Sequence, residues 1–209
     1  MFSIIQAAGW PIWPLLICSV VAVALIIERL SSLRSSRIAP PRLLDEVLDV
    51  VKQSLPTPEM NNRLADNSLL GQVLATGLRA VAAEPRMPEP KLRQTFELAG
   101  RRAIHQLERY LNTLGTIATA APLLGLLGTV VGMIEIFGSQ SGGGGNPTQM
   151  AHGISVALYN TAFGLMVAIP SLMFYRYFRG RVEEYVLELE QAADRLLSQL
   201  QRYTDSSAQ

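Results

Sequence analysis

Cysteine, histidine and charge are all scarce in this sequence. The single cysteine, Cys18, excludes an intramolecular disulfide, and its place inside an apolar run makes it a small hydrophobe. Charged residues make up only 17% of the 209 positions and sum to +1, with no run of Lys or Arg apart from the apolar segments. That excludes a nucleic-acid footprint. What is abundant is apolar: 49% of the residues are hydrophobic and the mean hydropathy is +0.23, a balance too apolar for an ordinary soluble domain.

The apolar residues are clustered. No charged side chain occurs from Gly9 to Ile27, from Tyr110 to Ile134 or from Ser155 to Tyr175. About 20 helical residues cross a hydrocarbon core of about 30 Å, so each stretch predicts a transmembrane helix. Buried helices of a soluble core would carry charges on one face every few residues, and these do not. The first stretch has no Lys or Arg ahead of it and ends on Glu28 and Arg29, and Leu15, Leu16 and Ile17 precede Cys18 where a lipoprotein site needs small residues. It is therefore expected as an uncleaved helix and not a signal peptide.

Direction follows from the basic flanks. Arg29, Arg34 and Arg37 follow the first span, Arg101, Arg102 and Arg109 precede the second, and Arg176, Arg179 and Arg181 follow the third. Residues 1–9 and 136–154 contain no Lys or Arg. The expected topology has a periplasmic N-terminus, a cytoplasmic C-terminus and an outer aromatic anchor at Trp10 and Trp13. It puts His105 and His152 on opposite sides of the membrane, so they cannot share a metal. The glycines at 125, 128 and 132 follow no strand and form no phosphate loop. No catalytic constellation, cofactor or metal site is expected, and the chain reads as a non-enzyme.

The fold class is an all-α membrane protein with three transmembrane helices, the second and third extending as long helices into the cytoplasm. The expected segments are 1–30 (external N-terminus and first span), 31–109 (cytoplasmic helical loop), 110–138 (second span), 139–150 (short periplasmic loop), 151–178 (third span) and 179–209 (cytoplasmic tail). Within the loop, Leu43, Leu44, Val47, Leu48 and Val51 form one amphipathic helix and Leu69, Leu70, Val73, Leu74, Leu78 and Val81 another. Prolines 56, 58, 85, 88 and 90 mark the turns between helices. No proline intervenes between Pro90 and Pro122, and the spacing of Leu92, Phe96, Ala99, Ala103, Leu107, Leu111 and Leu114 predicts one uninterrupted helix from Pro90 to Gly138. Beyond the third span, Val182, Tyr185, Leu189, Leu196 and Leu200 keep the same period. The glycines at 142–145 form the flexible tip of a short connection that makes the second and third spans an antiparallel hairpin.

Small and hydroxyl residues form rows inside the spans. Ala118, Gly125, Thr129 and Gly132 share one side of the second, and Ala157, Thr161, Gly164, Ala168 and Ser171 one side of the third. Such rows let helix backbones approach closely in lipid. Gly125, Gly128, Gly132, Gly164, Ala168, Pro122 and Pro170 are the helix-packing candidates, and that packing requires no pore. Thr129 and Thr161 lie mid-span at similar depth, so a ring of subunits would turn them into two belts of hydroxyls able to bond water without the cost of a buried charge. Neither titrates near neutral pH. A proton path would need its carboxylate from another chain, since the nearest acid here, Glu135, lies at the outer end.

Residues 121–132 (APLLGLLGTVVG) and 153–170 (GISVALYNTAFGLMVAIP) resemble the signature of the MotA/TolQ/ExbB proton-channel family, nearest to its ExbB branch, as does Glu28-Arg29-Leu30 after the first span. The resemblance is strong over 110–180 and weak in the loop. It implies a homopentameric ring in the bacterial inner membrane, set in membrane lipid around an ExbD-like single-span dimer. An aspartate of that dimer would carry protons past pore-lining Thr129 and Thr161. Proton flow, driven by the proton motive force, would be passed to a TonB-like energy transducer and would energise transport across the outer membrane. The alternatives are a TolQ-like envelope-maintenance motor and a non-conducting structural membrane scaffold. One position departs from the pattern: Val156 stands where ExbB proteins often carry a glutamate.

Overall fold

The computed structural model describes residues 10–139 and 147–206. The regular structure among those residues is all helical, in eight helices: α1 (Ile12–Ser32), α2 (Ser35–Ile38), α3 (Leu43–Gln53), α4 (Pro58–Asn67), α5 (Leu69–Ala83), α6 (Glu89–Glu108), α7 (Leu111–Ser139) and α8 (Pro147–Ser206). Residues 1–9, expected as the external N-terminus, the glycine-rich connection and the last three residues lie outside the described residues. The chain divides into two compact units, one of residues 1–29 with 110–178 and one of residues 30–109 with 179–209.

The first is a span unit. Helices long and apolar enough to cross a membrane lie within Ile12–Ser32, Glu89–Gly138 and Met150–Arg202, but only 17%, 28% and 33% of their most apolar windows is buried. Large apolar side chains such as Ile17, Val20, Leu123, Leu126, Ile134, Leu158, Met166 and Met173 face outward. In water such surface would drive aggregation, whereas in lipid it is at home. Pro122 and Pro170 sit inside α7 and α8, where each removes one backbone donor.

The helix expected to run from Pro90 to Gly138 is divided. Arg109 is extended (ψ 133°) and Tyr110 adopts a left-handed φ of 63°, with α7 starting afresh as Leu114 N–H donates to the Tyr110 carbonyl at 3.1 Å. A residue with a Cβ pays about 1–2 kcal/mol for that conformation. Neither glycine nor proline occurs between 101 and 114 to foretell it. The contact that accompanies it is tertiary: the Arg29 guanidinium lies 5.6 Å from the centroid of the Tyr110 ring.

The second unit is built from local rules. Thr57 and Ser68 cap α4 and α5, their hydroxyls accepting from Met60 N–H (3.4 Å) and Gly71 N–H (3.0 Å), and Pro58 occupies the first turn of α4. The apolar stripes predicted at 43–51 and 69–81 are helices, and their buried members include Val47, Val51, Val73, Leu74, Leu78 and Val81. α5 packs on α4 and α6 at glycine distance: a Cβ on Gly71 would fall 2.0 Å from the Leu64 carbonyl oxygen, and one on Gly77 2.0 Å from Phe96 Cζ. Val182, Tyr185, Leu189, Leu196 and Leu200 form the buried stripe of the C-terminal part of α8. Tyr185, 1% exposed, donates its hydroxyl to the Leu33 carbonyl (3.1 Å) and accepts from Arg181 (2.6 Å). Glu108, 2.6 Å from Arg179 and joined by Glu183 at 3.2 Å, holds that guanidinium above its usual pKa.

Candidate functional site

The contact between α7 and α8 depends on glycine. A Cβ on Gly125 would lie 2.8 Å from the Asn160 carbonyl oxygen, 3.0 Å from Thr161 Cα and 3.3 Å from Gly164 Cα. One on Gly164 would lie 2.6 Å from the Ala121 carbonyl oxygen and 3.1 Å from Gly125 Cα. The two backbones touch, and any side chain at either position would push them apart. On either side of this point Gly128 faces the Asn160 side chain (2.8 Å to Cβ and Nδ2), Gly132 faces Ala157 Cβ (3.1 Å), and Gly115 faces Tyr175 (3.0 Å). Numbers fall on α8 as they rise on α7, so the pair is antiparallel.

This contact brings the hydroxyl candidates to one place. Thr161 presses its backbone on Gly125, and Thr129 follows Gly125 by one helical turn, about 6 Å along the axis. Both threonines are partly exposed at the border of the packed strip. Thr129 Oγ1 donates to the Leu126 carbonyl at 2.7 Å, which satisfies its proton within the helix and leaves the oxygen lone pairs for a donor from outside. Ala168 and Ser171 are buried, with Ser171 Oγ donating to the Val167 carbonyl at 2.7 Å. Pro122 and Val156 are partly exposed, while Pro170 and Glu135 are exposed, away from the glycine strip.

In the span unit, two buried polar residues, Asn160 and Arg29, lie outside the site candidates expected from the sequence. Asn160 is 1% exposed, and its amide fits the space that the missing Gly128 side chain leaves. A polar residue inside an apolar span is the signal that could have singled it out. Arg29, read only as a basic flank, is 3% exposed and forks onto Glu28 (Nε–Oε2 2.5 Å, Nη2–Oε1 2.8 Å) beneath the Tyr110 ring. Among the described residues no group of three His, Cys, Asp or Glu could hold a metal.

Residues 65–191, which include the whole glycine contact and both threonines, match the MotA/TolQ/ExbB proton channel family. The chain belongs to this family. It is 35% identical over 178 residues to the ExbB-like 3 biopolymer transport protein of Synechocystis, covering 84% of this chain and 83% of that one. It is 31% identical over 171 residues to the biopolymer transport protein exbB1 of Vibrio cholerae, covering 80% and 74%. The Tol-Pal system protein TolQ of Haemophilus influenzae is 39% identical over 108 residues, about half of each chain. These two ExbB-named relatives are thus matched over most of their length, and the protein is a membrane component of the proton-channel family.

Proposed function

We propose that this chain is the ring-forming subunit of a proton-driven motor in the bacterial inner membrane, working with an ExbD-like single-span dimer to energise TonB-dependent transport across the outer membrane. The observation that carries this reading is the antiparallel α7–α8 pair, closed by Gly125 against Gly164, with Thr129 and Thr161 at its border and no acid from Tyr110 to Ile134 or from Ser155 to Tyr175. Such a wall can bond water and guide a proton but cannot hold one, so the carboxylate comes from the partner helix. The reading places the N-terminus in the periplasm and the C-terminus in the cytoplasm, on the strength of arginines confined to one side of every span. In this assignment the threonines line the pore of a homopentamer and Glu135 stands at its outer mouth. Removing either hydroxyl without changing shape, by Thr129→Val or Thr161→Val, is expected to abolish energised uptake while the assembled complex is still recovered with its partner. Full uptake by both variants would sink the pore assignment. The TolQ match supports a second reading, a motor for envelope maintenance, which detergent sensitivity of a deletion strain with intact uptake would favour.

A further inference from the structure

The start of α7 is set by a residue that does not belong there on local grounds. Positions 107–114 read Leu-Glu-Arg-Tyr-Leu-Asn-Thr-Leu, with no glycine, proline or β-branched run to stop a helix, and apolar residues on both sides stay in one helical phase. Yet α6 ends at Glu108, Arg109 is extended and Tyr110 is left-handed. A conformation unfavourable to every residue with a Cβ persists only where surrounding contacts over-determine it. One contact that reaches it is the buried Arg29 guanidinium over the Tyr110 ring, and Arg29 in turn donates hydrogen bonds to both Glu28 carboxylate oxygens. Desolvation of the cation strengthens such a contact, and the Glu28 fork fixes the plane that faces the ring.

We propose that Arg29 and Tyr110 form a latch between the end of the first span and the start of the second, and that this latch makes residues 109–113 a two-state element. Latched, Tyr110 is left-handed and α7 begins at Leu111. Released, residues 109 and 110 adopt the helical dihedrals that their sequence favours, and the helix runs on without a break. Interconversion needs no covalent chemistry, only displacement of the guanidinium from the ring by a competing aromatic or anionic group at the end of the first span. The assignment concerns backbone state alone and stands or falls separately from proton conduction.

Amide hydrogen exchange of the full-length protein in lipid nanodiscs tests it. An α-helix starting at Leu111 gives its first amides no carbonyl four residues back within the helix, whereas a continuous helix does. Arg29→Gln is therefore expected to slow exchange at Asn112 and Thr113 at least tenfold, Arg29→Lys less, and Tyr110→Phe not at all. Adding Tyr110→Gly to Arg29→Gln is expected to restore fast exchange, because glycine takes a positive φ without a latch. Unchanged exchange at 112 and 113 in Arg29→Gln would overturn the proposal. Should that variant not insert, Tyr110→Leu decides in its place: slowed exchange supports the latch, and wild-type exchange overturns it.

Discussion

A single hydrogen in place of a methyl group decides whether α7 and α8 can touch. Gly164 sits where an added Cβ would meet the Ala121 carbonyl oxygen at 2.6 Å, and backbone cannot yield as a flexible side chain can. Gly164→Ala is expected to cost about 1–3 kcal/mol, the range for overpacking a tight contact, and to lower the thermal midpoint of the detergent-solubilised protein. Gly100, also inside a helix, has nothing within 4 Å of its would-be Cβ. Gly100→Ala is expected to leave that midpoint unchanged or raise it, by up to about 1 kcal/mol of helix propensity. Equal losses at the two sites would show that the contact contributes nothing beyond propensity. The glycine and threonine rows were legible in the sequence because a helical period alone puts 118, 125, 129 and 132 on one side. The pairing of Gly128 with Asn160 was not, since it depends on the register of two helices to within an ångström and no one-dimensional period encodes that.

At the scale of elements, the helices of the second unit are held by caps and by one ring placed in a glycine notch. Ser68 is 4% exposed and its hydroxyl serves the first turn of α5, so Ser68→Ala is expected to destabilise the protein by about 1 kcal/mol. Gly77→Ala collides with Phe96, and the collision involves a side chain, so a second change can relieve it. Phe96→Leu is expected to recover part of the loss caused by Gly77→Ala although it is destabilising alone. Simple addition of the two losses in a double-mutant cycle of thermal unfolding would contradict the contact. α3 and α5 could be read from sequence because each carries an apolar stripe at helical spacing between proline-marked turns. The division at Tyr110 could not, because the sequence there favours helix and a residue 81 positions earlier, Arg29, overrides it.

For the whole molecule, the outward apolar faces of the spans and the absence of any acid between Tyr110 and Ile134 or between Ser155 and Tyr175 belong together. In the proposed motor such a chain faces lipid and supplies the wall of the proton path, and its partner supplies the proton carrier. Three helices long and apolar enough to span were legible in composition and hydropathy, whereas their direction and the foreign carboxylate stand as proposals from charge placement. The number of copies in the ring is not encoded in any period of the sequence and enters through the resemblance alone. The most direct measurement is proton flux into liposomes carrying this chain alone or together with its single-span partner, under an imposed potential. The account predicts flux only from the two together, lost with Thr129→Val or Thr161→Val. Equal flux from the chain alone, or none from the assembled pair, would contradict it.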